Sequence, residues 1–291
     1  MKVMSYNIEL YDKNDGWDGR DPEKVISTIR NNDPDIVGLQ EVNQIVEKNW
    51  LGITTKNDGW NDYLSALTSN GYTQIKGTDS GGSYAIRQDI FFKTSRYTKV
   101  DSGTVFLKNA ASSLNVPNDE NADESLDTRG DKGRSFVWAV LRDKQTGKDI
   151  LVVNIHLHYG GTGSGHEEDD KLRRYEIRTL LAWLDTKSYT NVIVLGDMNS
   201  DYSSGQGKVN MRVYTDEGGF EMTCKSAIIK EDIEGTLAIT GRTVRPEWIF
   251  DYVLLRGNVK ATYYTVVDNP VDTGGKYPSD HIPVLAKVYC Y

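Results

Sequence analysis

The chain has 291 residues, 38% of them hydrophobic, and 42 acidic against 34 basic side chains give it a formal net charge of −8. It is long enough for a core that needs no staple, and its acidic balance argues against a protein held to nucleic acid by its own positive field. An enzyme that meets phosphate through a divalent cation stays open, because the ion brings its own positive charge.

Residues 3–10 alternate, with Val3, Ser5, Asn7 and Glu9 in one phase and Met4, Tyr6, Ile8 and Leu10 in the other, which predicts a strand with Asn7 opposite the apolar set. An acidic, glycine-containing loop runs through Gly19. Asp21 and Pro22 then read as the N-cap and first position of a helix. Val25, Ile26 and Ile29 are its stripe, and it ends near Asn31 and Asn32, before Pro34. Residues 36–39 are the next strand and deliver Gln40 and Glu41 to its end. Trp60, Leu64 and Leu67 space a second helix that Gly71 stops. Residues 83–92 and 97–101 read as strands joined by a polar turn at Lys93 and Thr94.

Residues 108–133, rich in Asn, Asp, Glu, Ser and Gly, are the loosest part of the chain and read as a functional or mobile surface loop. Residues 136–141 and 150–157 form a hairpin across 144–148. A glycine-rich turn at 160–165 leads to a helix over 167–184, with Ile177, Leu180, Leu181 and Leu184 as its buried stripe and Glu167, Glu168 and Asp169 suiting its N-terminal end. In VIVLGDMNS, residues 192–200, the four apolar residues 192–195 read as a buried strand, and Gly196 ends that run where the chain can turn tightly. In extended backbone, Asp197 and Asn199 would point to the same side. An Asx-rich turn closing the strand accounts for the same residues. After a variable stretch, 202–245, strands over 250–255, 259–267 and 284–289 finish the chain.

Strands throughout, with three helices and no strict alternation, suit two packed sheets carrying helices on their outer faces better than a parallel sheet. One domain, 1–291, is expected. No stretch approaches the ~20 apolar residues needed to span a bilayer, and Ser5, Asn7 and Glu9 interrupt any signal-like run. The protein is expected to be a soluble monomer, either cytoplasmic or secreted with its signal outside this numbering. Cys224 and Cys290 allow one disulfide but no disulfide framework.

Polar residues recur where apolar strands stop: Asn7, Glu41, the alternating Asn154, His156 and His158, then Asp197 and Asn199, Asp251 within IFDYVLL, and Ser279, Asp280 and His281. Each alone is also an ordinary turn residue. Asp251 is harder to dismiss, because a carboxylate among Ile249, Phe250, Tyr252, Val253 and Leu254 must be edge-exposed, paired or functional. Carboxylates and amides with few histidines suit Mg²⁺ or Mn²⁺ better than zinc.

Five separated motifs in order, SYNI at Asn7, LQEV at Glu41, NIHLH at His156, GDMNS at Asp197, and the closing FDYV and SDH, resemble those of the endonuclease/exonuclease/phosphatase superfamily, the DNase I-like metal-dependent phosphoesterases. The resemblance implies an α/β (α+β) four-layer sandwich, with two central, mostly antiparallel mixed sheets flanked by helices and a site at one edge. It implies Glu41 as the principal ligand of Mg²⁺ or Mn²⁺, with Asn7 near the same ion and Asp280 approaching it. His156 takes the place of the histidine that contacts the scissile phosphate. Asp197 matches the residue that positions or deprotonates the nucleophile, and Asn199 its phosphate-orienting neighbour. Asp251 falls on the phosphate and histidine side, and His281 binds or protonates the phosphoryl group. Beyond these, His158 and either Arg173 or Arg174 are candidates for holding substrate, a solvated helix face being the alternative for both arginines.

The strand at 83–92 carries no second glutamate, which some nucleases of the family have, and Leu157 is followed directly by His158 with no intervening Asp. The substrate implied is a phosphate ester, either nucleic acid or a small phosphorylated molecule. Trp17, Trp50 and Trp60 could stack on bases or pack in the core. The competing function is a non-catalytic module that keeps the fold and binds nucleic acid or another phospholigand.

Overall fold

The computed structural model describes residues 1–9, 22–43, 45–48, 54–57, 59–78, 86–127, 133–160, 165–203, 205–231, 235–239, 243–244, 248–268 and 277–291. The loop through Gly19, the cap Asp21, Trp17, Trp50, Ser83, Tyr84 and the centre of the glycine-rich turn lie outside the described residues, as does the side chain of Trp60.

Two sheets stack face to face. One has seven strands, in the order Ile229–Lys230, Val259–Val266, Val284–Cys290, Lys2–Asn7, Ile36–Asn43, Ile86–Lys93 and Tyr72–Lys76. The other has six: Glu221–Met222, Asp251–Gly257, Asn191–Asp197, Asp149–His156, Ser135–Asp143 and Tyr97–Phe106. Both are mixed and mostly antiparallel. Lys2–Asn7 runs parallel to Ile36–Asn43 in the first, and Asp149–His156 parallel to Asn191–Asp197 in the second.

The period-2 pattern sets the layers. In Lys2–Asn7, Met4 and Tyr6 pack against Val25, Ile26 and Ile29 of the helix Pro22–Asn32 and Leu64 and Leu67 of the helix Gly59–Ser69. Val3 faces the space between the sheets, and its phase partners Ser5 and Asn7 are buried with it. On the far side, the helix Glu167–Asp185 turns Ile177, Leu180, Leu181 and Leu184 inward, and Trp183 lies edge-on to Phe136 at 5.0 Å between ring centroids. The result is the expected sandwich of helices, two sheets and helices.

The structure departs from the sequence expectations at three places. Gly196 does not end its strand: the chain continues to Asp197, because Gly196 is paired with both Ile155 and Tyr252. The polar turn at Lys93 and Thr94 joins two strands as expected, and it carries the chain from one sheet to the other. The second of those strands runs on to Phe106, and the supposed loop after it opens with a helix, Leu107–Ser113, whose Leu107, Ala110 and Ala111 are buried. The strand after Asp35 reaches Asn43 by way of a bulge, in which Gln40 and Glu41 oppose Gln88 alone.

Among the described residues, no helix is long and apolar enough to cross a membrane. Cys224 and Cys290 are free thiols.

Candidate active site

Strand register brings the polar ends together. Asn7 is the last residue of its strand and pairs with Gln40. Asp197 pairs with His156 on one side and Asp251 on the other. The two groups face each other across the gap between the sheets, and Asn7 Nδ2 donates to Asp197 Oδ2 at 2.9 Å. The same nitrogen lies 3.4 Å from Glu41 Oε1.

Glu41 reaches this point because of the bulge. Its φ of 59° is left-handed, a conformation costly for a residue with a Cβ, and its Oε1 lies 3.9 Å from His156 Nε2. His156 Nε2 is also 3.5 Å from Asp197 Oδ2, which stands 3.5 Å from His281 Nε2 as well. His281 Nδ1 and Asp251 Oδ2 are 2.7 Å apart. Six side chains widely separated in sequence thus form one connected set, nearly all buried; Glu41 is the least enclosed.

Two further residues hold the set in place. Ser279 Oγ donates to Asn7 O at 2.8 Å and accepts from His281 N at 3.1 Å, joining the last motif to the first. Thr236 Oγ1 accepts from Phe250 N and Asp251 N, fixing the start of the Asp251 strand. Thr236 belongs to no motif and stands in the variable stretch, so nothing in the sequence singled it out.

Asn199 and Asp197 do not sit side by side on extended backbone. The strand ends at Asp197 and Asn199 takes a φ of 45°, so that its N–H donates to Asp197 Oδ1 at 2.8 Å. The Asx turn and the polar site are one structure. Asn199 Nδ2 donates to Leu157 O, which ties this turn to the end of the His156 strand. Asp280 is half-buried beside His281, and its N–H donates to Glu9 Oε2 at 3.2 Å.

The three residues expected to hold substrate are engaged with groups of the protein itself. Arg173 is fully buried; its guanidinium pairs with Asp170 at 2.6 Å and donates to His158 O and Gly160 O. Arg174 binds Glu120 and Asn210. Neither arginine lies on a solvated helix face, because the helix Glu167–Asp185 buries Asp170, Arg173, Arg174 and Glu176 along with its apolar stripe. His158 Nε2 meets Asp169 Oδ1 at 2.8 Å, and its N–H donates to Glu176 Oε2.

Burial alone would lower the pKa of His281, but the charges of Asp251, Asp197 and Asp280 and the hydrogen bond that His281 donates to Asp251 outweigh it and hold the imidazole well above its ordinary value. Burial raises the pKa of Asp197, opposed by the charge on His281 and reinforced by that of Asp251. The site is therefore rich in enclosed carboxylate oxygen. Asp251 Oδ1 is buried with no hydrogen-bond partner among the described residues.

Those features fit a divalent cation, which would remove the penalty for burying ionised carboxylates. Ligand atoms of Asp197, Asp251 and His281 lie within 4.8 Å of one another, a cluster able to hold such an ion. Glu41 and Asn7 border it.

A family model, the Endonuclease/Exonuclease/phosphatase family, matches residues 4–281. The chain belongs to that family. Similar solved structures include an endonuclease/exonuclease/phosphatase family protein from Bacteroides thetaiotaomicron, at 19% identity over 99% of this chain and 97% of that one, with a TM-score of 0.71. A mannosyl-6-phosphatase from the same organism matches at 19% identity over 99% of each chain, with a TM-score of 0.69. The catalytic domain of human Nocturnin with a bound sulfate anion matches at 16% over 100% and 94%, with a TM-score of 0.64. At these identities the likeness is one of fold. No curated protein matches the chain.

Proposed function

We propose that the chain is a single catalytic domain that hydrolyses phosphoesters with the help of Mg²⁺ or Mn²⁺. The observation that carries the proposal is the convergence of Asn7 and Glu41 from one sheet with His156, Asp197 and Asp251 from the other, beside His281.

Glu41, with Asn7 and Asp280, would hold the cation at the edge of the cluster of Asp197, Asp251 and His281, leaving those three to the attacking water and the phosphoryl group. When bound, the ion supplies positive charge to phosphoryl oxygen and to the departing alkoxide. The remaining work falls to the chain's own side chains. Asp197, fixed by Asn7 and the Asn199 N–H, orients the attacking water and accepts its proton. His281, kept charged by Asp251, gives the phosphoryl oxygens a cationic donor that strengthens as their negative charge grows. His156 adds a second imidazole beside the same Asp197 oxygen.

Hydrolysis of p-nitrophenyl phosphate and bis-p-nitrophenyl phosphate with Mg²⁺ and with Mn²⁺ tests the proposal and separates monoester from diester chemistry. Mannose 6-phosphate, RNA and single-stranded DNA extend the panel. Metal-dependent turnover that disappears in Glu41→Ala and in His281→Ala is expected. A folded preparation that binds nucleic acid but leaves every ester intact would instead favour the binding module.

A further inference from the structure

Asn154 is a buried amide in an otherwise apolar strand interior, two residues before His156. Its side-chain hydrogen bonds cross to the other sheet. Nδ2 donates to Leu39 O at 2.9 Å and to Asp89 O at 2.8 Å, and Oδ1 accepts from Gln40 Nε2 at 2.6 Å. Leu39 and Asp89 are the last in-register pair before the bulge, and Gln40 is its first residue.

The carboxamide therefore grips both strands where the register shifts. Gly38 makes room for it, since a Cβ there would stand 2.9 Å from Asn154 Cγ and Oδ1. Glu41 follows Gln40 at once, in the left-handed conformation that turns it towards His156. A strained backbone of this kind persists only where its surroundings over-determine it, and Asn154 supplies three bonds that do so.

We propose that Asn154 is a positioning residue: by bridging the sheets at the Gln40–Glu41 bulge, it sets Glu41 against His156 in the geometry that receives the divalent cation. This rests on the metal role proposed above for Glu41.

Mn²⁺ binding, followed through the electron paramagnetic resonance signal of the free ion, tests the inference without relying on turnover. Wild type, Asn154→Leu, Glu41→Ala and the double variant form a cycle, each confirmed as folded by near-ultraviolet circular dichroism. Asn154→Leu is expected to weaken Mn²⁺ binding by about ten- to a hundred-fold, as loss of an outer partner of a ligand does. It should add little once Glu41 is gone, because its effect passes through that side chain.

Unchanged Mn²⁺ affinity in folded Asn154→Leu, or an equal loss with and without Glu41, would overturn the inference. Should Asn154→Leu not fold, Gln40→Met removes the bond at Oδ1 and is judged by the same criteria, with a smaller weakening expected. Wild-type Mn²⁺ affinity in Glu41→Ala would remove the metal role of Glu41 itself, and that failure belongs to the proposed function.

Discussion

Asp251 and His281 meet in a fully enclosed contact, Oδ2 to Nδ1 at 2.7 Å, made between the first residue of a strand and the residue after the SD of the last motif. An aspartate bonded to one imidazole nitrogen fixes the ring and leaves the other aimed at the reacting atoms, here towards Asp197 Oδ2.

Asp251→Asn keeps the shape of that contact and removes its charge. Turnover at neutral pH is expected to fall by about 10²–10⁴-fold, the range for a disabled acid–base group. The pH profile gives the sign. The pKa of His281 is held high by Asp251, Asp197 and Asp280, so in wild type the decline on the alkaline side should begin well above pH 6.5. In the variant it should move to lower pH, as a pH–rate profile at saturating Mg²⁺ would register.

Glu176 gives a stability signature. Burial, reinforced by Asp127, pushes its carboxyl up to about 8 in the folded chain, while the His158 N–H and the nearby arginines oppose the shift. A folded pKa above the unfolded one means a contribution that is complete below about pH 4.5 and lost as pH rises through about 8. Glu176→Gln, which cannot ionise, should flatten that decline. Urea unfolding from pH 5 to 9 should show the variant gaining on wild type towards the alkaline end, on the order of a few kcal/mol.

Arg173→Met separates a structural from a substrate-binding role. Removing one partner of a buried pair leaves the other charge uncompensated and costs about 3–5 kcal/mol; here Asp170 would be stranded with its partner gone. Denaturant unfolding should show that loss. The KM of the protein still folded should remain near wild type, because the guanidinium is engaged with Asp170, His158 O and Gly160 O.

Gly196→Ala tests the close approach of two parallel strands. A Cβ at that position would stand 2.0 Å from Ile155 O, a backbone atom that cannot swing aside. A cost of about 1–3 kcal/mol or more is expected from overpacking, with a drop in turnover as well, since the displaced ladder ends in His156 and Asp197. Thermal unfolding and a steady-state assay on the same preparation would check both.

Much of this fold is written in short-range pattern. Alternation in Lys2–Asn7 fixed which face carries Asn7, and the apolar stripe of Glu167–Asp185 gave that helix its orientation. The site was legible for a related reason: a polar residue at the end of a buried strand must find a partner, and four such ends, at Asn7, His156, Asp197 and Asp251, find one another.

What stayed hidden depends on long-range geometry. The bulge at Gln40 and Glu41 has no local signal, since neither residue favours a left-handed backbone and the contacts that hold it come from Asn154, more than a hundred residues on. The fate of Arg173 was hidden likewise, because a charge buried against Asp170 one turn earlier looks in sequence like a surface pair. The turn at Lys93 and Thr94 was legible as a turn, but only the topology sends the strands it joins to different sheets.

The 2.9 Å bond from Asn7 to Asp197 spans the seam between the two sheets. Catalysis would therefore serve as a gauge of their docking. A chain nicked in an exposed connection should lose turnover the moment its halves part and recover it only as they close again, with no half-active species in between.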